Sequence, residues 1–154
     1  MEPKIPLKEP LIIFFRDVTA LAGTPFYILL WIFLILIQEY YLVTKLIAGF
    51  LFILFVTAII RMIYHKERPL KQEYHNWMER IDASSFPSMH AARAFFFSLT
   101  LTSFFKYELW ISVFLIALAI LVSYSRIFLK KHDWWDLLGG IILGGVTFWL
   151  STII

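Results

Sequence analysis

The sequence predicts an all-α integral membrane helical bundle, with about five transmembrane helices plus an N-terminal interfacial helix. Composition is the first reason: of 154 residues, 60% are hydrophobic and 19% are aromatic, whereas globular chains average about 45–50% apolar residues. The second reason is that the apolar residues form long runs separated by short polar connections. A chain of this length predicts a single membrane-embedded domain over residues 1–154.

The N-terminal part, residues 1–22, is expected to lie outside the transmembrane core. A short polar lead precedes the apolar segment Leu11–Ala22, which contains Arg16 and Asp17 and is too short to cross a bilayer. Such a segment favours an interfacial location, which leaves residues 23–154 as the core. The chain has no cysteine, so disulfides and thiolate metal sites are excluded.

Residues 23–154 contain the candidate spans, of which the first is short for a bilayer. They are Thr24–Ile37, Leu42–Ile63, Met89–Phe105, Leu109–Phe128 and Trp134–Ile154. Because successive spans alternate in direction, the N-terminus, the polar connection Lys66–Ser88 and the connection Leu129–Asp133 should share one side of the membrane. In the fifth span, Gly140 and Gly144 form a small-xxx-small pair, which indicates close helix packing.

The stretch Ser125–Asp136 carries a group of residues suited to phosphate chemistry. His132 and Asp136 are four residues apart, so on a helix they would share one face. A carboxylate on one imidazole nitrogen fixes the tautomer and leaves the other nitrogen free to attack or to move a proton. Arg126 adds a forked cation, whose geometry suits phosphate oxygens.

Two further clusters are predicted on the same side. One combines Arg61 with Arg68-Pro69, and the other runs from Ser85 to His90. Ser88 begins a span, where free amides and the helix dipole favour an anion, and His90 is placed to protonate a leaving oxygen. A metal site would need more carboxylates or two histidines on one face, so we expect no metal and no cofactor.

The three clusters resemble the motifs of the type-2 phosphatidic acid phosphatase (PAP2) superfamily, K-x6-R-P, P-S-G-H and S-R-x5-H-x3-D. The third motif is matched in full by Ser125, Arg126, His132 and Asp136. The second is matched by Pro87, Ser88 and His90, with Met89 in place of glycine, and the first by Arg68 and Pro69, with Arg61 in place of lysine. Lys66 is a second candidate for that lysine, but its spacing to Arg68 is wrong.

The resemblance implies a metal-independent lipid phosphatase. His132 would form a phosphohistidine intermediate held by Asp136, and His90 would protonate the leaving group. The implied phosphate-binding residues are Arg61, Arg68, Ser88, Met89 and Arg126, and further candidates for substrate contact are Arg93, Lys130 and Lys131. The substrate would be a lipid phosphate monoester or diphosphate: phosphatidate, phosphatidylglycerol phosphate, a polyprenyl diphosphate or a lipid A phosphate.

Alternative functions are a lipid phosphotransferase, or an inactive membrane transporter or assembly protein that retains the motifs. The expected partners are the bilayer and its lipid substrate; no aromatic-basic tract indicates nucleic-acid binding. We expect the chain in the cell (inner) membrane, with the site at a membrane-water interface. The clustered basic residues favour the cytoplasmic side, whereas many bacterial relatives face outward, and both sides stay open.

Overall fold

The computed structural model describes residues 8–105 and 108–153, and within these ranges it has seven helices and no strand. The helices are α1 (Lys8–Ala20), α2 (Thr24–Leu36), α3 (Tyr40–Ile63), α4 (Trp77–Ala83), α5 (Met89–Phe104), α6 (Leu109–Phe128) and α7 (Trp134–Ser151). The predicted all-α class is therefore confirmed. The short helix α4, inside the polar connection, was not predicted.

The predicted number of spans has partial support. Over the described residues, α3, α6 and α7 are each long and apolar enough to cross a bilayer, and α1 with α2 would pass together as one broken span or a re-entrant loop. Helix α5 has 16 residues, fewer than the roughly 20 that a typical span needs. By length and composition, the described part of the chain thus has three or four candidate spans. The number of about five transmembrane helices stays a prediction.

The N-terminal segment forms a helix that contacts the bundle. Helix α1 packs against α6, where the rings of Phe15 and Phe128 lie 4.3 Å apart. It meets α2 at a bend of 45°, at Gly23, whose backbone is extended. Pro25 explains the break, because proline disfavours a helical conformation in the residue before it and fits the first turn of a new helix. The segments predicted as an interfacial helix and a first span are therefore two arms of one bent unit.

Helix α5 packs against both α6 and α7. Glycines in α7 allow that helix to approach α5 closely. A Cβ atom at Gly140 would lie 2.4 Å from the carbonyl oxygen of Ser88, and one at Gly144 would lie 2.5 Å from that of Ala92. Real Cβ atoms do not come so near to backbone oxygen. The predicted close packing at this pair of glycines is confirmed.

The outside of the bundle exposes many large apolar side chains. Leu46, Ile53 and Phe96 are fully buried in the centre, while Phe55, Phe114 and Trp110 are 65%, 64% and 81% exposed. Exposed apolar surface of this extent marks an interaction site, and on all sides of a helical bundle it indicates contact with lipid. The chain is an integral membrane protein.

Candidate active site

One end of the bundle gathers the end of α3, the start of α5, the end of α6 and the start of α7. Backbone hydrogen bonds join the connections there: the amide of Ser88 donates to the carbonyl of Asp136 (2.9 Å), and the amide of Leu70 donates to that of Lys130 (3.1 Å). The amide of Ser85 also donates to the carbonyl of Lys66 (2.8 Å). The two polar connections therefore lie on the same end, as predicted, and form one polar region.

Helix α7 begins at Trp134, where the sequence predicted the fifth span to start. Asp133 is the N-cap: its Oδ1 accepts from the amide of Asp136, and Oδ2 of Asp136 accepts from the amide of Asp133, each at 3.0 Å. This capping box satisfies amides that the first turn leaves free, so the helix begins at Trp134. His132 thus lies in the predicted connection before the helix, and its proximity to Asp136 does not come from a shared helix face.

His132 and Asp136 are nevertheless adjacent. Nδ1 of His132 lies 3.5 Å from Oδ2 of Asp136, which is longer than an ordinary hydrogen bond, and it has no hydrogen-bond partner among the described residues. Both side chains are buried, with 2% and 0% exposed. Because Nδ1 faces the carboxylate, Nε2 is the nitrogen left for chemistry.

The imidazole of His132 lies in a cationic environment. Its pKa is lowered from 6.5 to about 4: burial is the largest cause, the guanidiniums of Arg126 and Arg68 act in the same direction, and Asp136 opposes them. A pKa below neutrality keeps the ring uncharged at pH 7, which is the form that a nucleophilic histidine requires.

We predict that this low pKa will be measurable in the folded protein. NMR titration of side-chain-labelled histidine in detergent micelles should assign His132 a midpoint near 4, and Arg68→Gln should raise it because a positive charge is removed. A midpoint at the ordinary value of about 6.5 in the unsubstituted protein would contradict the buried geometry.

His90 lies at the start of α5, facing the same region. Ser88 is the N-cap of α5 and its Oγ accepts from the amide of Ala91 at 3.4 Å, so Met89 is the first helical residue and contributes a backbone amide there. The imidazole of His90 is close enough to Arg126, Arg68 and His132 for their charges to act on it. The two imidazoles, on separate hairpins, therefore lie within range of each other's charge.

Arg68 and Arg126 bring guanidiniums to this region while keeping part of their donor capacity. Nη1 of Arg68 donates to Oε1 of Gln72 at 2.6 Å, and Nη1 of Arg126 donates to Oγ1 of Thr19 at 3.1 Å. The Nε atoms of both arginines are buried without a hydrogen-bond partner among the described residues. Buried donors of this kind favour binding of an anion.

Arg61 has a different setting from the one that the motif predicts. Its Nη2 donates to the carbonyl of Pro87 at 3.1 Å, and Nη1 makes longer contacts to the carbonyls of Ile81 (3.4 Å) and Asp82 (3.5 Å). The guanidinium thus ties the end of α3 to the segment before α5. Its Nε is buried and lacks a partner in the described part of the chain, so phosphate binding by Arg61 stays a prediction.

The three further candidates for substrate contact have different settings, and the charge of Arg93 acts on His90. Arg93 is 4% exposed and its guanidinium stacks on the ring of Phe50 at 4.1 Å, a cation–π contact inside the bundle. Lys130 is exposed with a positive φ of 53°, and Lys131 is half-buried. The lysines border the site, and their substrate contacts stay predictions.

Lys66 is a residue of the site that sequence reasoning set aside. Its Nζ lies 2.6 Å from Oδ2 of Asp133 and 2.8 Å from Oδ1 of Asp136. No spacing in the sequence signals this contact, because 67 and 70 residues separate the partners. In the sequence, only the position of Lys66 between Arg61 and Arg68, in the first motif, distinguishes it from other lysines.

Comparison with known proteins agrees with this geometry. The family model described as the PAP2 superfamily matches residues 42–154, which covers α3 to α7 and all of the site residues above. The chain belongs to the PAP2 superfamily.

Two curated relatives resemble this PAP2 chain. Lipid A 4'-phosphatase of Bacteroides thetaiotaomicron is 40% identical over 65 residues, which are 42% of this chain and 28% of that protein. "Putative undecaprenyl-diphosphatase YbjG" of Escherichia coli K12 is 29% identical over 118 residues, 76% of this chain and 58% of that protein. The chain therefore spans less than two thirds of the length of either relative.

Two solved structures share the PAP2 fold seen here. The crystal structure of Aquifex aeolicus LpxE has a TM-score of 0.78 and 24% identity, covering 95% of this chain and 87% of that one. A transmembrane PAP2-type phosphatidylglycerolphosphate phosphatase from Bacillus subtilis has a TM-score of 0.76 and 21% identity, covering 94% and 76%. At these identities the likeness concerns the fold.

Proposed function

We propose that this chain is a metal-independent lipid phosphatase, acting as one membrane-embedded domain that hydrolyses a lipid phosphate monoester or diphosphate through a phosphohistidine. The observation that carries the proposal is the convergence of His90, His132 and the guanidiniums of Arg68 and Arg126 at one end of the bundle. Family membership and the names of the two curated relatives support it.

In the first step, Nε2 of His132 attacks phosphorus. A phosphorus–nitrogen bond forms, the bond to the lipid oxygen breaks, and the electron pair leaves with that oxygen. The oxygen takes a proton from the imidazolium form of His90, which the negative charge of the bound phosphate favours against burial and the neighbouring cations. The imidazole of His132 becomes positive, and Asp136 at Nδ1 stabilises that charge. The arginines hold the equatorial oxygens, where charge is spread in the transition state.

In the second step, water replaces the histidine. The oxygen of water attacks phosphorus, its proton goes to His90, and the phosphorus–nitrogen bond breaks with its electron pair returning to Nε2 of His132. Inorganic phosphate and the dephosphorylated lipid are the products. His90 therefore acts as an acid in one step and a base in the next.

The apolar tail of the substrate has room between α6 and α7. A cavity of about 320 Å³ lies there, with α5 as its floor. It is lined by apolar and aromatic side chains, including Phe95, Ile120, Tyr124, Trp134 and Leu138. Trp134 follows the His132 loop directly, so a chain in this cavity would leave its headgroup near the imidazoles.

We propose the cell membrane as the location, because the relatives' names refer to lipid A and undecaprenyl lipids. The same names make a lipid A phosphate and a polyprenyl diphosphate the first headgroups to test. Phosphatidate and phosphatidylglycerol phosphate complete the set.

The test is phosphate release by the purified protein in detergent, with each of the four lipids and with EDTA present. We expect release from at least one lipid, unchanged by EDTA. Transfer of phosphate to an added alcohol without free phosphate would instead support the phosphotransferase. No turnover of any lipid phosphate would overturn the proposal in favour of an inactive protein.

A further inference from the structure

Lys66 contacts both carboxylates of the capping box at the start of α7. Its ammonium donates hydrogen bonds to Oδ2 of Asp133 and Oδ1 of Asp136. The remaining oxygens, Oδ1 of Asp133 and Oδ2 of Asp136, accept hydrogen bonds from the backbone amides of Asp136 and Asp133. All four carboxylate oxygens therefore have a donor. Oδ2 of Asp136 is also the carboxylate oxygen that lies 3.5 Å from Nδ1 of His132.

The backbone of Lys66 is fixed independently of this ion pair. Its amide donates to Oγ of Ser84 at 3.2 Å, and its carbonyl accepts from the amide of Ser85 at 2.8 Å. The neighbouring carbonyl of Glu67 accepts from Oγ of Ser85 at 3.2 Å. Because these bonds tie the lysine to the segment just before α5, its ammonium approaches Asp136 from a defined direction.

We propose that Lys66 is a positioning residue: it holds the carboxylate of Asp136 in the rotation that places Oδ2 at Nδ1 of His132. This rests on the proposed phosphatase function, in which Nε2 of His132 must point at phosphorus. An aspartate bound only through Oδ2 could rotate about its terminal bond, whereas the ammonium on Oδ1 fixes both oxygens.

The ammonium also changes the electrostatics of the pair. The carboxylates raise the pKa of Lys66 against the opposing effect of its burial, so it is charged at neutral pH. The ammonium lies against the buried carboxylate of Asp136, which already faces His132. Its positive charge partly neutralises that carboxylate, whose negative charge would otherwise raise the proton affinity of the imidazole more. The other charged or titratable groups acting on His132 or Asp136 come from α3, the polar connection, α5 and α6: Arg61, Arg68, His90 and Arg126.

Lys66→Met tests the proposal, because methionine keeps the length of the side chain and removes the charge. We expect kcat to fall about tenfold or more from the lost orientation, with KM within about threefold of the original since substrate binding is intact. The midpoint of the His132 titration should rise by about one pKa unit, because a neighbouring positive charge is lost. Lys66→Arg should restore much of kcat.

Lys71→Met is the matched control, since Lys71 lies in the same connection and pairs with Glu67 at 3.3 Å, where both side chains are exposed. We expect kcat and the His132 midpoint to stay as in the original protein. Should Lys66→Met fail to fold, Asp133→Asn is the second variant. Asparagine keeps an oxygen for the helix cap but turns an amide group toward the ammonium of Lys66. We expect a fall in kcat that is smaller than the one expected for Lys66→Met.

The outcomes separate this inference from the proposed function. A rise in KM alone, with an unmoved His132 midpoint, would mean that Lys66 contacts the phosphate and would overturn the positioning role. Unchanged kcat and midpoint in Lys66→Met would overturn it as well. The NMR midpoint is read without turnover, so it tests Lys66 even if no lipid phosphate is hydrolysed.

Discussion

Replacing His132 with alanine should reduce phosphate release by a factor of about 10⁴ or more, because the variant has no nucleophile and the remaining groups only bind and polarise the substrate. The side chain is buried beside Asp136, and alanine leaves the capping box of Asp133 and Asp136 intact. The fold should therefore survive the change. Steady-state phosphate release, with circular dichroism to check helix content, measures both effects.

His75→Ala is the control for this prediction. His75 is an exposed histidine of the polar connection, and its backbone amide, which donates to Glu79 at 2.7 Å, is unaffected by the substitution. Its activity should equal that of the original protein. Residual activity of His132→Ala above about one per cent would mean that another group attacks phosphorus.

Adding one methyl group at Gly140 should have the second largest effect. In Gly140→Ala the new Cβ would lie 2.4 Å from the carbonyl oxygen of Ser88, with Cβ of Ala91 3.0 Å away. The first contact is to backbone, so α5 and α7 must separate by roughly 1 Å to reach ordinary contact distance, and such a shift costs about 10²-fold in rate. The overpacking should also destabilise the fold by about 1–3 kcal/mol.

Gly145→Ala is the matched change in the same helix, because a Cβ there meets nothing within 4 Å. Its activity and thermal midpoint should equal or slightly exceed those of the original protein, since alanine favours helix over glycine. Equal effects of the two substitutions would show that the α5–α7 contact does not position the site.

The fold could be predicted mainly where apolar length decides structure. Helices α3, α6 and α7 follow from long apolar runs. Helix α6 has the predicted bounds, α3 begins two residues before the predicted start, and α7 ends at Ser151 instead of Ile154. The bend at Gly23 was not predicted, because an isolated apolar segment containing Arg16 and Asp17 gave no sign that it would pack on α6. That contact depends on tertiary structure, as the Arg126–Thr19 hydrogen bond illustrates.

The site could be predicted where a motif fixes residue type and spacing. The charges of His132 and Arg126 act on His90, and Ser88 caps α5, while the catalytic roles of these residues stay predictions. The spacing of four residues between His132 and Asp136 does not act through a shared helix face, because Asp133 is the N-cap and the helix begins after His132. Sequence spacing could not find the contact of Lys66 with Asp136, since an ion pair across 70 residues has no periodicity to reveal it.

Mass-spectrometric mapping of a trapped phosphoenzyme tests the central claim most directly. With an activated aryl phosphate, whose leaving group needs no proton, His90→Gln should still be phosphorylated but should lose the base that activates water. We expect the acid-labile phosphoryl group on the peptide that contains His132, accumulating in His90→Gln and absent from His132→Ala. A phosphoryl group on any other residue, or one that persists in His132→Ala, would contradict the account.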